Sequence, residues 1–353
     1  MIKKTLITLA ALAGIVLAVF VALIMLNQFT EYKPAPVEAL TPAGNGSPLK
    51  AGATEFSVLS WNIGYGGMGR EMDFFYDGGK TVRPQKEYTD RTFDSIRSLI
   101  CRSDSVDFLL IQEIDMDSKR TYFRDQEIEL ESCLKGRSCM FALNYKVKYI
   151  PSPLTEPLGK VTAGLSVFSK YEPDNAERHA YDAFFPWPTR LAMLKRCFIA
   201  SYFSLGNGKQ LVILNLHNSA FDNSGELRKR ELEQLKEFLQ REYQKGNYII
   251  AGGDWNMNPP GYDSALIRNG DKSMRDLYPV NQSIMDGWEL AYDPSVPSNR
   301  LADQAYTMGK TGTHIIDFFI ISPNVSKIVV KTPDWKFRFS DHNPVYMKFR
   351  INP

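Results

Sequence analysis

The chain has 353 residues, with 42 Lys+Arg against 40 Asp+Glu, four cysteines and 44% hydrophobic residues. That length and apolar content support a sizeable core, and they exclude a wholly disordered chain and a disulfide-dense mini-scaffold. A formal net charge of +2 gives no support to a strongly basic nucleic-acid binder, although a local basic groove stays open.

Met1-Ile2-Lys3-Lys4 precedes an uncharged run from Thr5 to Leu26. A bilayer-spanning helix needs about 20 apolar residues, so a transmembrane helix is expected over 5–26. The preceding lysines favour a cytoplasmic N-terminus and an exported body, periplasmic or extracellular. The run ends in Met25-Leu26-Asn27-Gln28-Phe29, without the small-residue site of a cleaved signal peptide. Residues 1–26 therefore read as a single-pass signal anchor, with a cleaved signal as the alternative. No cysteine follows the run, which argues against a lipoprotein anchor. Residues 27–54 carry Pro34, Pro36, Pro42, Gly44, Gly46, Pro48 and Gly52 and read as a tether. The globular body is expected over 55–353.

Phe56 to Ile63 alternates and reads as a strand. Thr89 to Cys101 sets Phe93, Ile96, Leu99 and Ile100 on one helical face. Val106 to Ile111 suits a buried strand. Cys197 to Leu205 and Gln210 to Leu216 flank Gly206-Asn207-Gly208-Lys209, a hairpin signal. Leu227, Leu232, Leu235, Phe238 and Leu239 mark an amphipathic helix, with a cap offered by Asn223-Ser224. Tyr248 to Ala251, Ile315 to Ser322, Lys327 to Lys331 and Pro344 to Ile351 read as further strands. Export permits disulfides. Cys133 and Cys139 flank a short polar loop and can pair; buried free thiols are the alternative. Cys101 and Cys197 lie too far apart in sequence to judge, and no Cys/His cluster points to zinc.

Strands outnumber helices, with hairpins among β–helix–β stretches. That pattern suits an α/β fold of mixed sheets packed face to face with helices outside. Polar residues gather where the strands stop: Asn62, Gln112-Glu113, Asn215, His217, Asp254 and Asn256. Strands that end together present these side chains to one crevice.

Glu113, Asp254 and Asp341 are carboxylates beside apolar strands, and Asn62 and Asn256 add amide carbonyls. An oxygen-rich set of this kind suits Mg²⁺. His217 and His342 sit in similar contexts. A phosphoester needs charge neutralisation, an activated water and help for the leaving group, and these residue types supply all three. Each alone is ordinarily a solvated strand end, a turn or a cap. Their joint occurrence at strand ends is what carries the reading.

The ordered motifs are SWNIGYGG with Asn62, LLIQEID with Glu113, AGLSVFSK, LNLHNS with His217, GGDWNMNP with Asp254 and Asn256, IDFFIIS with Asp317, and SDHNPV with Asp341 and His342. In that order, from Phe56 to the C-terminus, the chain resembles the endonuclease/exonuclease/phosphatase superfamily. That superfamily includes deoxyribonucleases, neutral sphingomyelinases and inositol-polyphosphate 5-phosphatases. The resemblance implies a four-layer sandwich, two mixed β-sheets flanked by helices, with a Mg²⁺-dependent phosphoesterase site at one edge; Mn²⁺ can substitute. It implies Glu113 as principal metal ligand with Asn62 beside it, and Asp341 as a further or outer ligand. Asp254 orients or deprotonates the attacking water, supported by Asn256. His342 pairs with Asp317, and His217 donates to the phosphoryl oxygens. Whether Asp254 or His342 takes the water's proton, and whether one or two metals bind, stays open.

Many members carry an arginine two residues before the Asp317 equivalent; here Ile315 stands there, beside His314, so substrate contacts are undetermined. Gly66-Gly67-Met68-Gly69 and the following Met72 to Gly79 segment read as cleft wall or as an ordinary surface loop. Phe184-Phe185-Pro186-Trp187-Pro188, followed by Arg190, is an aromatic loop expected to pack, with contact to lipid or a base as the alternative. The function expected is a membrane-tethered phosphoesterase acting on a lipid-linked or small phosphoester. The alternatives are a nuclease acting on DNA or RNA, and a catalytically silent binding domain. No obligate protein partner is evident.

Overall fold

The apolar N-terminal run becomes one helix, α1 (Ile2–Phe29), in the computed structural model, which describes residues 2–222, 224–259 and 287–352. It is long and apolar enough to cross a membrane, and its apolar stretch is not buried against the body. Among the described residues the chain continues through β1 (Val37–Ala39), β2 (Ala43–Gly44), β3 (Glu55–Asn62), α2 (Lys86–Cys101), β4 (Phe108–Asp115), α3 (Gln126–Cys133), β5 (Ser138–Ile150), β6 (Gly159–Ser169), β7 (Asn175–Ala180), β8 (Cys197–Ser204), β9 (Gln210–His217), α4 (Glu226–Gln244), β10 (Tyr248–Asp254), β11 (Glu289–Ala291), β12 (Asn299–Arg300), β13 (Thr313–His314), β14 (Asp317–Ile321), β15 (Val325–Lys331) and β16 (Val345–Ile351).

Two seven-stranded mixed sheets pack face to face, in the orders β1-β7-β8-β9-β10-β14-β11 and β15-β16-β3-β4-β6-β5-β2. Phe56, Phe108, Leu110, Ile199, Ile213 and Phe319 fill the core between them. Phe93, Ile96 and Ile100 of α2 and Leu130 of α3 cover one outer face. Leu232, Leu235, Phe238 and Leu239 of α4 cover the other. The layers are helix, sheet, sheet, helix. β3 runs parallel to β4, and β9 parallel to β10, so the central strands of each sheet end at one edge of the sandwich.

Beneath that edge the neighbouring strands of its own sheet crowd β10 closely. A Cβ on Gly252 would lie 2.4 Å from the Phe319 ring, and one on Gly253, at φ +145, would lie 2.0 Å from Leu216 O. The Gly-Gly pair before Asp254 is a packing requirement at this point. A buried polar bridge joins the sheets at the same level: Gln112 Nε2 donates to Asn215 Oδ1 at 2.6 Å, and Asn215 Nδ2 donates to Ser166 O at 2.8 Å. These two strand-end residues lock the sheets rather than face a substrate.

Four expectations change. Residues 31–54 are not a free tether: β1 pairs with β7, β2 pairs with β5, and Leu40, Leu49 and Ala53 pack on the inter-sheet core. Pro36 and Pro42 fall just before these short strands, where a missing N–H costs nothing, and the strap covers edges that would otherwise expose backbone groups. The disulfide joins Cys101 to Cys133, not Cys133 to Cys139; Cys139 is a buried thiol donating to Glu127. Cys101 ends α2 and Cys133 ends α3, and these helices lie side by side, whereas Cys139 has turned inward on β5. The cap of α4 is wider than expected: Ser224 Oγ accepts from the Glu226 amide at 3.3 Å, and the Asp222 carboxylate accepts from the amides of Leu227 (2.8 Å) and Arg228 (3.2 Å); Asn223 lies outside the described residues. Finally, the aromatic loop does not bury all its rings: Phe184 is 43% and Trp187 57% exposed.

Candidate active site

Glu113 sits at an irregularity in the β4–β6 pairing, between Gln112 and Ile114, with φ 58. The bulge turns its carboxylate out of the strand and into the crevice; such a backbone conformation in a non-glycine residue is strained and persists where the surroundings fix it. Asn62 ends the neighbouring β3. Its Nδ2 donates to Glu113 Oε1 at 3.2 Å and to Asp254 Oδ2 at 2.9 Å, while its Oδ1 accepts from the Gly64 amide at 3.0 Å. Asn62 thus ties the two sheets' carboxylates together as a donor.

Asp254 ends β10 and is paired in register with His217 of β9 on one side and Asp317 of β14 on the other. Its Oδ1 accepts from the Asn256 amide at 2.9 Å. Asn256, at φ 49, reaches Asn218 O with Nδ2 at 2.9 Å, so it braces the loop rather than pointing at Asp254 with its side chain. His342 Nδ1 lies 2.8 Å from Asp317 Oδ2, and His342 Nε2 lies 3.8 Å from Asp254 Oδ2. His217 Nε2 lies 3.5 Å from Asp254 Oδ2 and 3.8 Å from Glu113 Oε1, and its Nδ1 is buried without a partner.

Charge states follow from these surroundings. Burial opposes a charge on His342, but the Asp317 and Asp254 carboxylates outweigh it and push its pKa well above the ordinary value. Burial pushes Asp254 up to about 6, against the pull of His342. Burial, then the Arg196 and His342 charges, hold His217 neutral. Burial raises Glu113, Arg120 opposes this, and Asp341 adds like-charge repulsion. At neutral pH the edge therefore carries an imidazolium between two carboxylates, a neutral imidazole, and an acidic corner at Glu113 and Asp341.

That corner fits a hard divalent cation. Its donors are all oxygens, Glu113 keeps 27% of its side chain open, and a cation would relieve the repulsion from Asp341. Asp254, Asp317 and His342 also bring potential ligand atoms within 4.8 Å of one another. Asp317 Oδ2, however, is already committed to His342 Nδ1 and to the Ser298 hydroxyl at 2.8 Å. This trio reads as a hydrogen-bonded relay beside the acidic corner.

The structure thus gathers all eight expected residues, Asn62, Glu113, His217, Asp254, Asn256, Asp317, Asp341 and His342, at one edge. It adds others that no motif spacing signalled. Ser298 Oγ donates to Asp317 and accepts from the Ile316 and Asp317 amides, each at 3.0 Å. Asn299 Nδ2 lies 3.0 Å from His342 Nε2, and turning this amide offers an acceptor to the protonated ring. Arg196 directly precedes Cys197, which pairs with His217; it is 8% exposed, and its Nη1 is buried without a partner. Ile315 is buried and apolar, so no guanidinium enters from that strand. Arg300 holds the Met68, Gly69 and Met72 carbonyls with Nη2 at 2.9 to 3.2 Å, which makes the glycine-rich segment a fixed wall of the crevice.

A model of the Endonuclease/Exonuclease/phosphatase family matches residues 59–342. A sequence search against curated proteins finds no match. Among solved structures, an endonuclease/exonuclease/phosphatase from Beutenbergia cavernae is similar, with TM-score 0.57 and 15% identity over 85% of this chain and 72% of that one. ANGEL2, a 2',3'-cyclic phosphatase in complex with adenosine-2',3'-vanadate, gives TM-score 0.55 and 15% identity over 91% of this chain and 100% of that one. The human Nocturnin catalytic domain with bound sulfate gives TM-score 0.51 and 17% identity over 84% and 94%. At these identities the likeness is one of fold.

Proposed function

The chain belongs to the endonuclease/exonuclease/phosphatase family, and from that premise we propose that it is a membrane-tethered, Mg²⁺-dependent phosphoesterase acting on a lipid-linked or small phosphoester. The observation that carries the hydrolase reading is the joint placement of Asp254 between His217 and the His342–Asp317 pair, beside the acidic Glu113–Asp341 corner. A catalytically silent scaffold has no need to hold these buried charges together.

Glu113 and Asp341 would hold the divalent cation, which would supply charge neutralisation for the phosphoryl oxygens. Asp254 is the group that orients and deprotonates the attacking water. His342 is unsuited to that task because two carboxylates keep it protonated; it stabilises charge developing on the phosphoryl group. Asp317 and Ser298 fix the orientation of its ring. His217, neutral, donates to a phosphoryl oxygen. The tether reading rests on α1, on Lys3 and Lys4 before it, and on the Cys101–Cys133 disulfide, which suits an exported body.

The test is turnover of bis-p-nitrophenyl phosphate by the full chain after EDTA treatment and ion add-back. Activity restored by Mg²⁺ or Mn²⁺ supports the proposal. Full activity in EDTA, or rescue by Zn²⁺ alone, overturns the metal assignment. Rapid nicking of plasmid DNA, lost in Asp254→Ala and steeply weakened by salt, would replace the lipid-linked reading with a nuclease.

A further inference from the structure

The membrane helix does not hang on slack chain. Asn27 Nδ2 donates to Tyr149 O at 2.8 Å, Trp187 Nε1 donates to Gln28 Oε1 at 3.1 Å, and buried Glu31 pairs with Lys195 at 2.8 Å. These contacts begin one residue after the apolar run. At 1.5 Å per residue that run, 5–26, spans roughly 33 Å, close to the hydrocarbon thickness of a bilayer. With that run in a bilayer, these contacts hold the body at the level of the lipid head groups.

The docking lies at the catalytic end of the sandwich. Tyr149 belongs to the β5–β6 hairpin, which runs past that end, since Ser138 pairs with Ser169 and Ser169 with Phe108 at the opposite end. Trp187 and Lys195 belong to the β7–β8 connection, whose flanking residues Ala180 and Cys197 pair with each other, and Cys197 with His217. Several exposed aromatic and aliphatic side chains stand between the helix exit and the crevice. Leu154, at the hairpin tip, is 89% exposed and Trp187 57%. Tyr76, 40% exposed, lies beside Ser152 of the same tip, and its ring is tilted against that of Phe221, itself 46% exposed, with centroids 5.6 Å apart. Phe221 follows His217 by four residues, and Asp77, next to Tyr76, feels the charges of Asp341 and Glu113. Lys146 and Lys148 are exposed on the hairpin, where cationic side chains complement anionic lipid.

We infer that this rim, Leu154, Trp187, Tyr76 and Phe221, lies on the bilayer that α1 spans, so that the crevice opens onto the membrane surface and takes the phosphoester of a phospholipid head group. The inference rests on the phosphoesterase reading for its substrate, but its geometry rests on the helix contacts alone. Exposed aromatic and aliphatic side chains beside a membrane-spanning helix belong in the interfacial layer, where their rings and chains leave water while polar edges stay hydrated.

The experiment uses the full chain in nanodiscs of phosphatidylcholine and phosphatidylglycerol, with a nitroxide attached through Leu154→Cys or, at the far-end β8–β9 turn, Asn207→Cys. Relaxation by bilayer-soluble oxygen should exceed that by an aqueous nickel chelate at position 154 and fall below it at 207. A label at 154 as water-exposed as that at 207 overturns the docking. On the same full chain, turnover of phosphatidylcholine and sphingomyelin in vesicles is compared with that of bis-p-nitrophenyl phosphate. Leu154→Ser should lower the ratio of lipid to soluble-diester turnover about tenfold. Hydrolysis of the soluble diester with no hydrolysis of either vesicle lipid overturns the head-group substrate and leaves the phosphoesterase reading intact. No turnover of any substrate removes the phosphoesterase reading and with it the substrate, while the label positions still decide the docking.

Discussion

His342 Nδ1 lies 2.8 Å from Asp317 Oδ2, and the same carboxylate oxygen accepts from Ser298 Oγ at 2.8 Å. The contact fixes Nδ1 as a donor, turns Nε2 toward the crevice, and supplies the largest single push that raises the ring's pKa against burial. Asp317 can act in this way because β14 pairs antiparallel with β10, which sets Asp317 opposite Asp254.

Asp317→Asn keeps the shape but removes the charge and allows the wrong ring orientation. Turnover of a phosphodiester should fall by about 100-fold or more, in the range expected for groups that position proton transfer. The sign of the pH effect is fixed: without the carboxylate, His342 loses its proton at a lower pH, so the alkaline decline in activity moves to lower pH. With four histidines in the chain, an NMR titration can follow the ring directly. An unshifted His342 titration in Asp317→Asn would refute the coupling.

Arg196, just before β8, carries a guanidinium whose charge reaches Glu231, Asp254 and Glu113, while Ile315 offers none. It is buried, its Nη1 has no partner, and its charge helps hold His217 neutral. A donor left unpaired there suits a phosphoryl oxygen, which is the contact this prediction tests. Arg196→Met should lower kcat/KM by roughly 10- to 100-fold, the value of a hydrogen bond to a charged group. Arg196→Lys should recover only part of the loss, because a point charge does not reproduce the guanidinium fork. The two variants are compared with wild type under saturating Mg²⁺; equal kcat/KM in Arg196→Met would remove Arg196 from substrate binding.

The Cys101–Cys133 bridge closes a separation of 32 residues between the ends of α2 and α3. A loop of that size should stabilise the body by about 2–4 kcal/mol. Cys101→Ser/Cys133→Ser, or reduction, should lower the unfolding free energy by that amount, while Cys139→Ser leaves it within about 1 kcal/mol. Peptide mapping of the oxidised chain should recover one bridge, and a Cys133–Cys139 peptide would contradict the pairing.

The sequence shows some of this architecture plainly and hides the rest for physical reasons. β3, β4, β9 and β10 are apolar on their buried faces and stop at polar residues, so both the strands and their shared edge are visible in the chain. β5 is not, because Asn144, Lys146 and Lys148 interrupt its apolar residues where the hairpin runs beyond the sandwich. β1 and β2 lie in Pro- and Gly-rich chain and become strands only because sheet edges are there to receive them. The eight motif residues are found by order and spacing. Arg196, Ser298 and Asn299 reach the site through pairings across the fold, with no local pattern to mark them. Residue type alone does not give Asn62 its place: its amide donates to both the Glu113 and the Asp254 carboxylates and so ties the two sheets together at the site.

Glu127 is a buried acid remote from the catalytic relay. Its Oε1 accepts from Cys139 Sγ and its Oε2 from Ser166 Oγ, both at 2.7 Å, and burial pushes its pKa up from 4.5 to about 7. Between those two values the folded chain keeps a proton that the unfolded chain has lost. Stability therefore falls as pH rises from about 4.5 to about 7 and levels off above, by up to roughly 3 kcal/mol for this group. Glu231, buried against Ser219 and also raised to about 7, adds a dependence of the same sign. Glu127→Gln retains the shape and supplies a permanently neutral donor and acceptor. It should match wild type in thermal unfolding near pH 4.5, exceed it in Tm at pH 8, and show a shallower decline between. Parallel pH–stability curves for the two proteins would mean that Glu127 carries no buried proton in the fold.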